Sequence, residues 1–521
     1  MSDTKDKDEN LKLYNGLFSA QSEYQTIWER NELYYRARYS DKKYKKIKAK
    51  RRSAYFIPTI RNTVNIIKAI FTTAFFSNGC PIELLGSDEE MIRDSNLVIN
   101  NYYDIFNPKK ELSKAMLSSL IFKMGIVATF WDKNSEKVIT RFTPVQDLAF
   151  DNECTSIDDI EVVGFRKRES IRKIKEKIKN KVYDQPNLLK KLNLDDLFTK
   201  RLEIKILYKQ TSKGWKEYTY IKDVLVREKK FKKLPFQFGY CLDEIPSVIS
   251  DISEKQINCY GNDLVTILKP LQDELNQKRN LKNDIQEKIL NPDLFVGNDA
   301  GVDPKDLTFG GGKRIQVKGK ISEIKERQVP GEYSLTEDIG IIQSDLRDAS
   351  SVNPIQEGQT GASDRRSARA MSVINANSSM RIEEMIMLIT ETLFDHWAKA
   401  WVKLVLENAD DEVINKLTGK TNPFGVKGNR SFDYKIKINF GMSVDKESTI
   451  SDLLQVIQML APDQQINPKL KEKILKKFLY LRLGDDTDLK ELTQPIEQNV
   501  PPETPPVDNS LKNNQIIPGT L

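Results

Sequence analysis

GNDLVTILKPLQDELNQKRNLKNDIQEKIL, residues 261–290, is the stretch on which the fold turns. Leu264, Leu268, Leu271 and Leu275, then Ile285 and Ile289, recur along one stripe of a helix opened by Gly261. At about 1.5 Å per residue such a helix extends about 40 Å. Pro270 has no amide donor and is expected to start its second part or to kink it. Lys/Arg and Asp/Glu number five each over 261–290, so its charge is balanced. The next run, NPDLFVGNDAGVDPKDLTFGGGKRIQVKG, reads as turns and short strands, and Leu335 to Val352 resumes a helical pattern. Two helices thus flank a small Gly/Pro-rich insert.

Beyond them, Asn353 to Ser367 (NPIQEGQTGASDRRS) is a loop by composition. Ala368 to Glu407 is a very long helix with Ile382, Met385, Ile389, Leu393, Trp397, Trp401 and Leu404 in a core-facing seam; Met and Trp there are packing residues, and His396 on the same helix is structural. Tyr434, Ile436, Ile438 and Phe440 alternate with Lys435, Lys437 and Asn439, the pattern of a half-exposed strand. Ser448 to Leu483 is helical again, broken near Pro462 and Pro468, and the prolines from Pro495 onward mark an extended polar tail.

On the other side, residues 1–57 read as helix followed by basic arm, and Pro58 to Phe76 as an apolar helix carrying Ile60, Val64, Ile67, Ile70, Phe71 and Ala74. Asn96 to Lys123 is expected to be helical. Ile126 to Trp131 and Val138 to Phe142 form one hairpin, and Leu202 to Tyr208 with Trp215 to Ile221 form another. Between the hairpins, Arg166 to Lys181 (RKRESIRKIKEKIKNK) places Ile171, Ile174 and Ile178 at helical spacing behind a Ser170 cap, so it reads as an amphipathic surface helix whose lysines need no ligand. Residues 60–250 are therefore mixed α+β.

With 521 residues, and a prior of about 150 per domain, three to four domain-sized pieces are expected. Net charge is +7, yet residues 29–52 alone (ERNELYYRARYSDKKYKKIKAKRR) hold eleven Lys/Arg against three Asp/Glu, so the remainder is close to neutral. Lys42, Lys43, Lys45, Lys46, Lys48, Lys50, Arg51 and Arg52, interleaved with Tyr34, Tyr35, Tyr39 and Tyr44, suit a phosphate backbone or an acidic partner surface; a solvated segment has the same composition. The single histidine excludes multi-histidine zinc sites and Ser-His-Asp or Cys-His chemistry built within one site other than around His396. Cys80, Cys154, Cys241 and Cys259 show no CxxC and are expected to be reduced, buried thiols. MSDTKDKDEN has no signal-peptide pattern, and Ile66 to Phe76 falls short of the roughly 20 apolar residues of a membrane span, so a soluble intracellular product is expected. Gly310-Gly311-Gly312-Lys313 is followed by Arg314, and Gly419-Lys420-Thr421 has Ile414 where the first glycine of a phosphate loop belongs, so neither cradles a nucleotide. Asp147, Asp151, Asp158 and Asp159 lack a metal-ligand pattern. No cofactor, metal or catalytic residue is expected.

Several segments in order resemble one family, the portal or head-to-tail connector proteins of tailed double-stranded-DNA bacteriophages, especially short-tailed ones. Trp28 to Tyr35 with the Pro58 to Phe76 helix looks like the family's N-terminal wing helices, and FTPVQDLAFD (142–151) is similar to its proline–aspartate turn before a strand and a helix. Tyr260-Gly261-Asn262 leading into Leu271-Gln272-Asp273-Glu274-Leu275-Asn276 resembles the start of the first stem helix, and Asn291-Pro292 the entry to the clip. The resemblance implies a mainly α protomer with an α+β wing: N-terminal helix and basic arm 1–57, wing 58–260, first stem helix 261–290, clip 291–334, second stem helix 335–352, tunnel loop 353–367, long wing helix and wing strand 368–444, crown helices 445–494 and Pro-rich tail 495–521. The short clip and the basic arm depart from the family pattern. It further implies a dodecameric ring at one capsid vertex of a virion assembled in the host cytoplasm. Double-stranded DNA passes through it, and terminase large subunit, then adaptor or tail protein, dock on it beside major capsid and scaffold proteins, with no membrane and no catalysis. Asn353, Gln356, Gln359, Arg365, Arg366 and Arg369 would meet DNA in the channel; Lys313, Arg314, Lys318 and Lys320 would dock partners at the clip. An internal ejection or scaffold-like virion protein is the alternative, and a packaging enzyme a more distant one.

Overall fold

The computed structural model describes residues 2–184 apart from 51, 78, 133–134, 152–153 and 155; residues 201–243, 260–290, 294–296, 324–326 and 335–352; and residues 380–439 apart from 422, 426, 428–429 and 431–432. All of them belong to the first of two compact units, Met1–Gly441. The second, Met442–Leu521, which holds the expected crown and tail, lies outside the described residues.

Helices α1 (Ser2–Ala20), α2 (Ser22–Tyr35), α3 (Asp41–Ala49) and α4 (Thr59–Phe76) open the chain. The apolar stripe expected on α4 is buried at Ile60, Val64, Ile67, Phe71 and Ala74, and half-buried at Ile70. Strand β1 (Ile82–Leu85) then leads into α5 (Glu89–Phe106) and α6 (Lys109–Phe122). The helical stretch expected over 96–123 is thus two helices, the first of which starts earlier, at Glu89. Asn107 takes a left-handed conformation at φ 41° and Pro108 cannot donate to the preceding turn, so the chain breaks there.

The hairpin β2 (Gly125–Asp132) and β3 (Lys137–Phe142) appears as expected, with Phe130 opposite Ile139. A 3-10 turn, Val145–Asp147, and the short β4 (Leu148–Phe150) follow. Strand β5 (Val162–Ser170) precedes α7 (Ile171–Lys179). Arg166 to Glu169 thus lie on a strand rather than in the expected helix. Ser170 caps α7 by accepting from the Lys173 amide, and Ile171, Ile174 and Ile178 are buried. Next come β6 (Arg201–Thr211), β7 (Gly214–Ile221), β8 (Val224–Phe231) and β9 (Phe236–Gly239). They complete two sheets, β3-β2-β9 and β4-β5-β6-β7-β8, antiparallel at every pairing.

Side-chain alternation divides the larger sheet between two clusters. Ile204, Ile206 and Tyr208 join α7, Trp28 and Tyr260 in the main core, whereas Leu207 faces Tyr14 and Leu17 of α1. Helices therefore cover both faces of the sheet.

Helix α8 (Leu264–Leu290) runs through Pro270 as one element, and strands β10 (Leu294–Val296) and β11 (Ile324–Glu326) pair antiparallel just beyond it. Helix α9 (Leu335–Ser350) returns along α8: Lys282 reaches Thr336 at 2.7 Å and Lys278 reaches Asp338 at 2.9 Å. The partners advance on α9 as they recede on α8, so the two helices are antiparallel. Helix α10 occupies residues 380–408, with the π turn Thr390–Phe394 inside it, and α11 (Asp411–Thr418) and β12 (Lys435–Ile438) follow; β12 pairs with β1. The seam expected on α10 is buried from Ile382 to Trp401, while Leu404 is half-buried. Among the described residues no helix is long and apolar enough to cross a membrane.

Candidate functional site

Helix α3 is nine residues long and buries none of them, so its own packing cannot hold it. Its ends do. Ser40 caps the start by accepting from the Lys43 amide at 3.3 Å, Asp41 sits in the first turn, and Lys46 and Lys48 sit in the last, where the helix dipole favours cations. Lys42, Lys43, Lys45, Lys46, Lys48, Lys50 and Arg52 are exposed, as expected for the arm, whereas Arg51 lies outside the described residues. Lys43 stands 3.7 Å from Asp273 and over the Tyr39 ring; among the described residues the other six have no ion-pair partner.

The arm is pinned at its base by a polar ladder absent from the sequence-based reading. The amides of Ser53, Tyr55, Ile57 and Ile60 donate to Asp284 Oδ1 (2.7 Å), Asn280 Oδ1 (2.8 Å), Asn276 Oδ1 (2.9 Å) and Gln272 Oε1 (3.2 Å) of α8. From Ser53 to Ile57, alternate residues of an extended chain are about 6.6 Å apart and four residues of a helix about 6 Å, so the two repeats run nearly in step; the last rung, Ile60, comes three residues on, where α4 has begun. Asn280 Nδ2 also donates to the Tyr55 carbonyl at 2.9 Å and lies 3.4 Å from the Tyr39 hydroxyl. Tyr39 and Tyr55 bracket α3, so one asparagine ties both ends of the excursion. Gln272, Asn276 and Asn280 are buried, and their four-residue spacing was the available signal.

This stripe replaces part of the expected leucine seam. Leu264, Leu268 and Leu275 are buried, but Leu271 is half-buried and Ile289 exposed, because the C-terminal part of α8 presents amides to the strap instead of apolar groups to a core.

Two carboxylates on this segment shift in opposite directions. Burial raises Asp263 above the usual carboxylate range, against hydrogen bonds from the Thr266 hydroxyl and amide. Asn31 Nδ2 also donates to it at 2.8 Å. Burial acts upward on Asp273 as well, but hydrogen bonds from Tyr34 (2.6 Å) and Lys269 (2.9 Å), with the Lys43 charge, prevail and hold it low. That fixed negative charge is what retains Lys43.

Beside the arm lies a groove of about 950 Å³ between α2, α4, α6, the end of β3 and β5. Arg36, Arg38, Arg61, Lys114 and Arg166 line it against Glu29 and Glu32. Arg36 pairs with Glu32, Lys114 with Glu111 and Arg166 with Asp147, leaving Arg38 and Arg61 without an ion pair among the described residues. Sequence reading missed this convergence because these cations come from segments far apart in the chain.

The other expected site residues, Asn353, Gln356, Gln359, Arg365, Arg366 and Arg369, and Lys313, Arg314, Lys318 and Lys320, lie outside the described residues. Of the cysteines, Cys154 and Cys241 are buried but Cys80 only half-buried; burial pushes the Cys80 and Cys241 thiols up to about 12. Among the described residues no three His, Cys, Asp or Glu side chains converge as metal ligands. His396 Nδ1 lies 2.9 Å from the Thr392 carbonyl, within its own helix.

No protein-family model matches the chain, and no curated protein matches it. Among solved structures it is similar to a chain of the "Neck of empty GTA particle computed with C6 symmetry", GTA standing for gene transfer agent. The match is 9% identical, covers 80% of this chain and 90% of that one, and has a TM-score of 0.36. A likeness at this level assigns neither fold nor function.

Proposed function

We propose that the chain is a phage-type portal, the ring-forming DNA conduit at one vertex of a capsid. The observation that carries this reading is the antiparallel pair α8 and α9, with the ribbon β10–β11 between them in the chain and an α+β body before it. In a portal these are the stem helices, the clip and the wing. Many copies side by side would line a channel with α8, whose charge is balanced, and residues 335–352, where Glu337, Asp338, Asp345 and Asp348 outnumber Arg347; Lys269 engages Asp273 and Lys278 engages Asp338. Such a wall holds DNA weakly, because each phosphate neutralised by a fixed cation releases counterions and adds affinity. A conduit needs that weakness.

On this reading a dodecamer forms in the host cytoplasm and enters the virion with capsid and scaffold proteins. Its clip binds terminase large subunit and then adaptor or tail protein, through Lys313, Arg314, Lys318 and Lys320. Asn353, Gln356, Gln359, Arg365, Arg366 and Arg369 make passing contacts with DNA, and the chain itself catalyses nothing. Negative-stain imaging of the purified protein is expected to show rings with a central hole. Monomers at every concentration would sink the proposal in favour of an internal virion or scaffold protein, and ATP hydrolysis by the pure chain would point to a packaging enzyme. In particles with assembled rings, Arg365→Ala with Arg366→Ala is expected to change packaged genome content; unchanged content removes the loop from the channel. Charge reversal at the clip cations is expected to weaken terminase binding without loss of rings.

A further inference from the structure

We infer that helix α3 is a sequence-independent binding site for the phosphate backbone of duplex nucleic acid, separate in the chain from the contacts proposed for residues 353–369. At 3.6 residues per turn, Lys42, Lys45, Lys46 and Lys50 fall within about 140° of one side and span about 12 Å. Tyr44 and Ile47 lie on the opposite side, and Lys43 is retained by Asp273. A duplex carries one negative charge per about 1.7 Å of axis, so the stripe meets more phosphates than it has cations.

The side-chain chemistry selects the partner. A helix that lies in a membrane surface buries an apolar face, and α3 has only Tyr44, Ile47 and Ala49 for one. Protein interfaces are depleted in lysine and centred on buried aromatic or arginine anchors, whereas the stripe is lysine alone and Tyr44 stands apart from it. Phosphate accepts a lysine as a point charge with no demand on orientation. The base of the arm is held by Asn280 at Tyr39 and Tyr55, so the stripe is presented from a fixed root. The like charges crowded on an unpacked helix oppose its folding, and a polyanion relieves that repulsion.

The test uses the full chain and a random-sequence DNA duplex of about 30 base pairs, with anisotropy read from about 50 to about 200 mM salt. Log affinity is expected to fall linearly with log salt. Changing Lys42, Lys45, Lys46 and Lys50 together to Gln is expected to make the slope shallower by about 3 to 4, and changing all four to Arg to restore it. Amide exchange over residues 41–50 is expected to slow when duplex is added to the parent chain but not to the Gln variant. An unchanged slope would overturn the inference. So would an equal loss on changing Lys173, Lys175 and Lys179 of α7 to Gln, or a loss of binding confined to anionic vesicles or polyglutamate. The outcome is separable from the conduit reading: monomers that bind duplex through α3 would remove the ring and keep this site, and rings indifferent to the Gln variant would do the reverse.

Discussion

Asn280 satisfies both backbone groups of Tyr55 and meets the Tyr39 hydroxyl, so one side chain decides where the basic arm is rooted. Asn280→Ala removes the acceptor of the Tyr55 amide, while the Tyr55 carbonyl keeps the Tyr39 hydroxyl at 3.3 Å, and a loss of about 0.5–1.5 kcal/mol is expected from urea unfolding, with faster exchange at the Tyr55 amide. Asp263 and Asp273 offer a test of opposite sign. The raised Asp263 carboxyl makes the native state bind more protons than the unfolded chain between the ordinary carboxylate range and its raised value; its contribution is full below that window and lost as pH rises through it. The lowered Asp273 does the reverse, contributing above the ordinary carboxylate range and losing it as pH falls through its lowered value. Urea midpoints across acid to neutral pH are expected to show a smaller fall with rising pH for Asp263→Asn, and a smaller loss on acidification for Asp273→Asn. Equal pH profiles for both variants and the parent would refute the assignment.

The helix at 380–408 shows how an element resolves a conflict written in its own sequence. Its large apolar residues at 385, 389, 393, 397 and 401 keep strict four-residue steps, and each step turns an ideal α-helix about 40° past one full turn. Left uncorrected, the seam would wind away from the core. The under-wound π turn at Thr390–Phe394 takes up part of that drift, so Ile389, Leu393, Trp397 and Trp401 all stay buried. Gly239 at the end of β9 packs on this turn: a Cβ there would overlap Leu393 Cβ and stand 2.7 Å from its backbone nitrogen. Neither partner can yield without moving the helix, so Gly239→Ala is expected to cost at least about 1–3 kcal/mol by calorimetry or urea unfolding. Phe75 stacks on Phe394 at 4.0 Å between centroids and locks the same turn from α4.

For the whole molecule, the conduit reading makes a demand on the outer faces of α8 and α9. Ile267, Leu281 and Ile289 of α8 and Ile341 of α9 are exposed in the single chain, and neighbouring copies would cover them. Leu281→Glu with Ile341→Glu is therefore expected to abolish rings in mass photometry while leaving thermal unfolding of the monomer within about 0.5 kcal/mol. Rings that persist would count against stem-to-stem packing. Much of the fold was legible beforehand: the α4 and α10 stripes, both hairpins, the capped isoleucine helix α7 and the order of helix, insert and helix each follow from local periodicity. The break at Asn107-Pro108 was written there too, but the apolar pattern running across it concealed it. What no local pattern contained was partnership. Residues 272, 276, 280 and 284 declare a polar stripe, yet its strap lies more than two hundred residues earlier, and the groove cations converge from four separate segments. The sequence by itself determined which segments are helix or strand, because periodicity and capping act over a few residues; tertiary structure alone decided which side chains meet, because hydrogen bonds and charge depend on distance in space.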